Sequence, residues 1–327
     1  TAASVASEGS IECIEASNAE ECITKVLKGE ADAVALDGGY LYTAGACGLV
    51  PAMQEIYDAE ACKQKKQNIK GTYRAVAVVK KKDKEITFKN LRGVKSCHTA
   101  YGRTAGYNIP VGLIHQQTGV CDLSTFFKES CIPGADVNSN LCSLCAGNEK
   151  TKCLPNSKEP YYGYEGALRC LIEKGQVGFM KHTTVDELIE NEKSPAWAKG
   201  VKKDDLELLC PDGSRKPIAE YESCNLAEVP AHAVVTNPNR KEVVAKIFKK
   251  QQEQFGKNID PKPQFELFVS DKKKDQLFKG FTQCLGEVKE SPMNDYLGKP
   301  YADAIENFNK CGKSGLLEAC TFPTCKL

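Results

Sequence analysis

The chain has 327 residues, and its 44 Lys and Arg nearly cancel 43 Asp and Glu, leaving a formal charge of +1. That length exceeds one ordinary compact domain and implies two, while the even balance excludes a general nucleic-acid or membrane-surface binder, which needs a basic surplus. Hydrophobic residues at 41 % can build real cores, and no apolar run approaches the roughly 18–20 residues of a membrane-spanning helix. The opening TAASVASEGS has neither a basic flank nor an apolar stretch, so any signal peptide is expected to be gone already.

In chain order, Asn18 opens an N-cap with Glu21 three residues on, and Cys22, Ile23, Val26 and Leu27 follow at helical spacing to a stop at Gly29. ADAVALDGG reads as a short apolar strand ending at Asp37 and two glycines, and TYRAVAVVKKK (72–82) as a buried strand. RTAGYNIPVGLIHQ places Gly106 and small residues where a helix would begin; EGALRCLIEKG is a helix stopped at Gly175, and QVGFMK the strand after it. VPAHAVVT (229–236) predicts one strand. RKEVVAKIFKKQQEQFG predicts an amphipathic helix with Val243, Val244, Ile247, Phe248 and Phe255 on one face. Alternating strands and helices with short connections mean an α/β fold with largely parallel or mixed sheets. The polar, Cys-rich stretch 121–160 and the Lys-rich stretch 193–216 read as surface loops.

Cysteine is the outlier. Seventeen are too many for a reduced compartment. CSLC, from Cys142 to Cys145, has the look of a metal knuckle, but no second close pair completes four ligands. A disulfide framework in a secreted protein fits better, and the odd count leaves a free thiol or a partner elsewhere. No Asn-x-Ser/Thr sequon occurs.

LDGGYLYTAGACGLVP, TYRAVAVVKK, SCHTAYGRTAGYNIPVG, YYGYEGALRCL and VPAHAVV occur in this order across essentially the whole chain, which thereby resembles one lobe of the transferrin family. The LLEACTF ending is similar to that of carboxy-terminal lobes, and the resemblance implies that such a lobe begins some tens of residues earlier. The resemblance implies a two-domain lobe of the periplasmic-binding-protein-like kind, with mixed sheets and a hinged cleft. Domain one is then 1–72 plus 233–327, around an inserted 73–232, with hinge strands near 72–76 and 229–234.

The family's ferric ligands, matched motif by motif, are Asp37, Tyr73, Tyr164 and His232. The chemistry agrees: Fe³⁺ is hard and prefers anionic oxygen, here one carboxylate and two phenolates, with a single imidazole. Each residue alone has a bland reading, as a turn Asp, a packed Tyr or a satisfied strand His. Four matches within four motifs outweigh it. Two octahedral positions remain, which the resemblance fills with carbonate (or bicarbonate) resting on Thr99, Arg103, Ala105 and Gly106. Small residues let backbone N–H groups reach an anion at a helix start, and arginine offers a planar fork. With carbonate the ligands exceed the iron charge by about two, and Arg103 reduces that to about one.

Lys181 and Lys279 fall where transferrin lobes carry a basic pair across the cleft, the expected trigger for acid release. The bland reading is two solvated lysines. Tyr101, Tyr107 and Glu165 depart from the family pattern, so the anion helix is expected to pack differently, and Glu165 to weaken anion binding or alter the pH response. The resemblance also implies the disulfides Cys47–Cys320, Cys62–Cys284, Cys97–Cys170, Cys121–Cys311, Cys131–Cys145, Cys142–Cys153 and Cys210–Cys224. It leaves Cys13, Cys22 and Cys325 over.

These expectations amount to a secreted, non-enzymatic carrier of one Fe³⁺ with carbonate, released by acid, with a second lobe and a cell-surface receptor as partners and no membrane insertion. The alternative is a transferrin-fold protein that binds an organic toxin or a protein target instead of iron. A hydrolase built on His98, His115 or His182 lacks any fitting motif.

Overall fold

A computed structural model describes residues 2–5, 11–63, 73–190, 194–257, 259–261, 263–269, 277–280, 282–289, 292–312 and 315–321. The chain segregates into two compact units. Thr1–Thr72, Pro230–Ala302 and Lys313–Leu327 form the first, and Tyr73–Val229 with Asp303–Gly312 the second.

The first unit opens with β1 (Ala2–Val5), β2 (Ile11–Ile14), α1 (Ala19–Leu27), β3 (Ala33–Leu36), α2 (Gly38–Ala46), β4 (Val50–Ile56) and α3 (Ala59–Lys63). The second contains β5 (Tyr73–Lys80), β6 (Lys95–Cys97), α4 (Ile109–Thr118), β7 (Glu129–Cys131), α5 (Gly163–Glu173), β8 (Val177–Lys181), α6 (Thr184–Leu188), β9 (Leu206–Leu209), β10 (Arg215–Pro217) and β11 (Ala227–Val229). The chain then returns through β12 (Ala233–Thr236), α7 (Lys241–Phe255), β13 (Cys284–Glu287) and α8 (Met293–Leu297) to α9 (Lys299–Lys310) and α10 (Gly315–Thr321). The fold is α/β. Among the described residues, no helix is long and apolar enough to cross a membrane.

The first sheet has the order β13-β4-β12-β3-β1-β2. Strand β12 enters antiparallel between β3 and β4, which β3–α2–β4 would otherwise leave as a parallel pair with a gap. The second sheet, β10-β9-β5-β8-β6-β7 with β11 also on β5, is mixed: β6 runs parallel to β7 and β8, while β5 is antiparallel to β8, β9 and β11.

Helix α1 starts as its sequence predicts, with the Asn18 side chain accepting from Glu21 N–H at 2.9 Å and Gly29 at φ 74° past its end. Four expectations are corrected. The glycines after Asp37 open helix α2, because the Asp37 carboxylate caps Gly39 and Tyr40 N–H. VPAHAVVT is not one strand: β11 ends at Val229 and β12 starts at Ala233, in different sheets, and Pro230 between them has no N–H for a ladder. Val243 is 41 % exposed. At 100° per residue the buried arc of α7 centres on Val244, Phe248 and Phe255, takes in Ala245 and Ile247, and leaves Val243 outside. Finally, the supposed loops carry cores. Cys131, Cys142, Leu144, Cys145, Cys153 and Tyr161 pack together, and β9 is buried in the cluster holding Val76, Val78, Leu168 and Met180.

Glu159 closes the Cys-rich segment. Its buried carboxylate accepts from the N–H groups of Ala146, Gly147, Cys153 and Tyr161 at 2.8–3.0 Å. The disulfides Cys131–Cys145 and Cys142–Cys153 use every cysteine of the CSLC segment, so the knuckle holds no metal-ligating thiolate. All seven expected bonds are present. Cys13 and Cys22 are free thiols, and Cys325 lies outside the described residues.

Candidate functional site

In the first unit, Asp37 follows the last residue of β3 and His232 precedes the first of β12. Leu36 and Ala233 are cross-strand partners, so antiparallel register makes Asp37 and His232 the next opposed pair at that sheet end. Asp37 Oδ1 accepts from Gly39 N–H at 2.9 Å and Tyr40 N–H at 3.3 Å, which leaves an exposed carboxylate with a fixed orientation. Tyr301, fully buried nearby, has its hydroxyl pushed up in pKa by burial and by the Asp37 charge.

Behind His232 lies a buried carboxylate that the motifs do not reveal. Glu55 is 3 % exposed, and its Oε1 stands 3.9 Å from His232 Nδ1. It accepts from Lys279 N–H at 3.2 Å and from Thr282 Oγ1 at 2.5 Å, and its own N–H donates to His232 C=O at 2.8 Å. Burial raises its pKa against the pull of Thr282, the Lys279 backbone and Tyr57. Tyr57 joins the carboxylate to the His232 backbone, and burial and the Glu55 charge raise its phenol strongly. The signal for Glu55 was available: a lone carboxylate in the continuously buried strand β4 needs a partner.

In the second unit, Tyr73 begins β5 and Tyr164 lies in the first turn of α5, reached through Gly163 at φ 78°. Burial raises the Tyr164 phenol, while the hydrogen bond with Tyr73 and the nearby Arg103 charge act in the opposite direction. Tyr73, Tyr164 and Arg103 are thus brought together electrostatically. Arg103 donates from Nη2 to Tyr162 Oη and lies over that ring, 4.7 Å from its centroid, a partner the sequence did not suggest.

Arg103 precedes a π-turn, Thr104–Asn108, that leads into α4. Ala105 and Gly106 are buried there. A Cβ at Gly106 would sit 2.0 Å from Thr99 Oγ1, and that hydroxyl is buried without a partner. An orphaned hydroxyl beside a turn of small residues and an arginine suits an oxyanion.

His98 fixes the turn from below. Gly106 C=O can only accept, so Nδ1–H donates to it at 2.7 Å; Nε2 then accepts from Ser96 Oγ at 2.9 Å, and Ser96 meets Ser130 Oγ at 2.7 Å. Burial lowers the His98 pKa to about 4, so the ring is neutral. Of the other hydrolase candidates, His182 accepts from Arg74 N–H at 3.0 Å. The departures from the family pattern resolve into packing: Tyr107 is buried between Tyr101 (4.6 Å) and Phe308 (6.3 Å), and Glu165 accepts from Trp197 Nε1 at 3.3 Å.

Lys181 belongs to the second unit and Lys279 to the first. Lys181 Nζ stands 5.4 Å from the Tyr164 ring centroid and pairs with Glu187 Oε1 at 2.8 Å. Burial is the largest single influence on Glu187 and acts to raise it, but the hydrogen bond and charge of Lys181, with smaller contributions from Thr183 and His182, together outweigh it and the carboxyl titrates below its usual range.

The transferrin family model matches residues 2–310. This chain belongs to the transferrin family. It is 56 % identical to serotransferrin-A of Xenopus laevis and 47 % identical to ovotransferrin of Gallus gallus, over 98 % of this chain and 47 % and 46 % of those proteins. It is equally 47 % identical to a Sus scrofa relative named inhibitor of carbonic anhydrase, over 98 % of this chain and 47 % of that protein. The chain spans about half the length of these relatives.

Proposed function

We propose that this chain is a transferrin lobe that carries one ferric ion outside cells, held by Asp37, Tyr73, Tyr164 and His232. The observation that carries the reading is the phenol pair Tyr73–Tyr164 in the field of Arg103, beside the small-residue turn with its orphaned Thr99 hydroxyl. Neutral phenols are poor ligands; a trivalent cation makes their deprotonation favourable. Asp37, held by two N–H groups, adds a carboxylate, and Glu55 keeps His232 oriented through the Tyr57 and backbone contacts described above.

Thr99, Arg103 and the N–H groups at Ala105 and Gly106 would hold carbonate, which supplies two further anionic oxygens to the cargo ion. Asp37 and His232 come from one unit, Tyr73 and Tyr164 from the other. Binding would therefore draw on both sides of a hinge at the paired strands β5 and β11, where Val229 faces Tyr73. The same reading takes a second lobe and a cell-surface receptor as partners, and Lys181 with Lys279 as the acid trigger. Ferric titration tests it: with bicarbonate, one equivalent should give a visible phenolate-to-iron band, and a colourless endpoint refutes it. The second reading, a protein-binding role, rests on the relative named inhibitor of carbonic anhydrase and predicts no such band.

A further inference from the structure

Two groups of cysteine, histidine and acidic side chains stand at metal-ligating distances among the described residues. One, Cys131–Cys145 with Glu159, is closed: the carboxylate is already spent on four backbone N–H groups. The other is His115 with Cys121 and Cys311, whose ligand atoms all lie within 4.8 Å of one another. Here a nitrogen is left over, because His115 Nδ1 is buried and has no hydrogen-bond partner.

Local structure holds this group firmly. His115 sits in the last turn of α4. Gly119, at φ 71°, ends the helix and returns its N–H to His115 C=O at 2.8 Å, which brings Cys121 back beside the ring. Cys311 follows α9, and α4 meets α9 at backbone distance: a Cβ at Gly112 would fall 1.9 Å from Ala304 C=O. Of the seven disulfides, four join buried cysteines, whereas Cys47–Cys320, Cys62–Cys284 and Cys121–Cys311 are partly accessible. Accessible disulfides are the reducible ones, and a neighbouring imidazole favours the thiolate leaving group. Of those three, only Cys121–Cys311 has an imidazole within ligating reach among the described residues.

We propose that Cys121–Cys311 is a reducible bond whose dithiol form, together with His115, binds a soft divalent cation such as Zn²⁺ or Cd²⁺. A 1,4-dithiol reductant opens it: one reductant thiolate attacks one sulfur and expels the other cysteine as thiolate. The second reductant thiol then closes its own ring disulfide and frees the first cysteine, leaving both thiols reduced. The cation displaces two protons and takes two thiolates, the imidazole and a water. Tetrahedral coordination sets sulfurs about 3.8 Å apart and sulfur to nitrogen about 3.6 Å. The Cα separation of 5.1 Å accommodates this by side-chain rotation. The ligand class differs from that of the proposed ferric site, since soft thiolates select soft cations.

The test uses the whole chain carrying Cys13→Ser and Cys325→Ser. Graded dithiol treatment with alkylation mapping should open Cys121–Cys311 before the other six bonds. Cd²⁺ should then give a near-ultraviolet thiolate band saturating at one equivalent, and should shift the His115 ring proton resonances. His115→Ala, with unchanged circular dichroism, should weaken Cd²⁺ binding at least ~10-fold. Another bond opening first, an equal Cd²⁺ midpoint in His115→Ala, or unshifted His115 resonances in the reduced parent would each overturn the proposal. The resonance measurement decides the matter if the variant fails to fold.

Discussion

His98 couples the stability of the second unit to pH. Its folded pKa of about 4 lies below the ordinary histidine value, because burial disfavours the imidazolium. Its stabilising contribution is therefore full above about pH 6.5 and drains as pH falls toward 4. With those two values the loss is about 2 kcal/mol at pH 5 and about 3 kcal/mol once both states are protonated. His98→Asn keeps an N–H donor for Gly106 but loses the ring contacts with Phe179 at 5.0 Å and Phe127 at 5.7 Å. The variant should be less stable at pH 7 and should lack this part of the acid slope. The single tryptophan, Trp197, lies in the second unit, so its fluorescence in urea reports that unit. Iron-free protein should be titrated from pH 7.5 to 4.5, and the two midpoints should converge as pH falls. Parallel slopes for the parent and His98→Asn would refute the assignment of a neutral buried ring.

Gly106→Ala drives a methyl group into Thr99 Oγ1; overpacking of this kind costs about 1–3 kcal/mol. The variant should lose the bicarbonate dependence of iron binding before it loses the fold, which ultraviolet difference titration with bicarbonate would detect. Loading one ferric ion near neutral pH should release about three protons, two from phenols and one from bicarbonate. Tyr164→Phe should cut both that release and the visible absorbance, and a pH-stat trace without proton release would exclude tyrosine ligation. If the two lysines trigger release by mutual repulsion, Glu187 offsets part of that repulsion by pairing with Lys181. Lys181→Ala should then hold iron to lower pH and Glu187→Gln should lose it at higher pH; identical release curves in a chelator assay would show that the lysines are not the trigger.

What was legible in the sequence was whatever local chemistry determines. Asn18 with Glu21, the apolar run of β5 and the repeat of α7 specify their elements through caps and periodicity, and those elements formed. Asp37 illustrates the limit. A carboxylate before two glycines reads as a turn, since glycine is a poor helix former, yet two backbone donors and the packing of Leu41 and Ala44 make it a helix start. The Cys-rich stretch misled for a related reason: polar composition signals a loop only while disulfides and Glu159 do not supply a core.

Contacts between distant segments were the least legible. Glu55 and His232 are 177 positions apart in the numbering, and nothing near either residue announces the other. They meet because β12 comes back from beyond the second unit to occupy the gap between β3 and β4. That one insertion also sets Leu36 opposite Ala233, and hence Asp37 opposite His232. A sheet filled locally would leave the two residues on separate strands without a shared edge. The proposed first-unit ligands therefore depend on a strand order that no window of the sequence contains. A substitution that slips β12 by one residue would turn its side chains to the other face of the sheet and remove His232 from Asp37 without touching either residue.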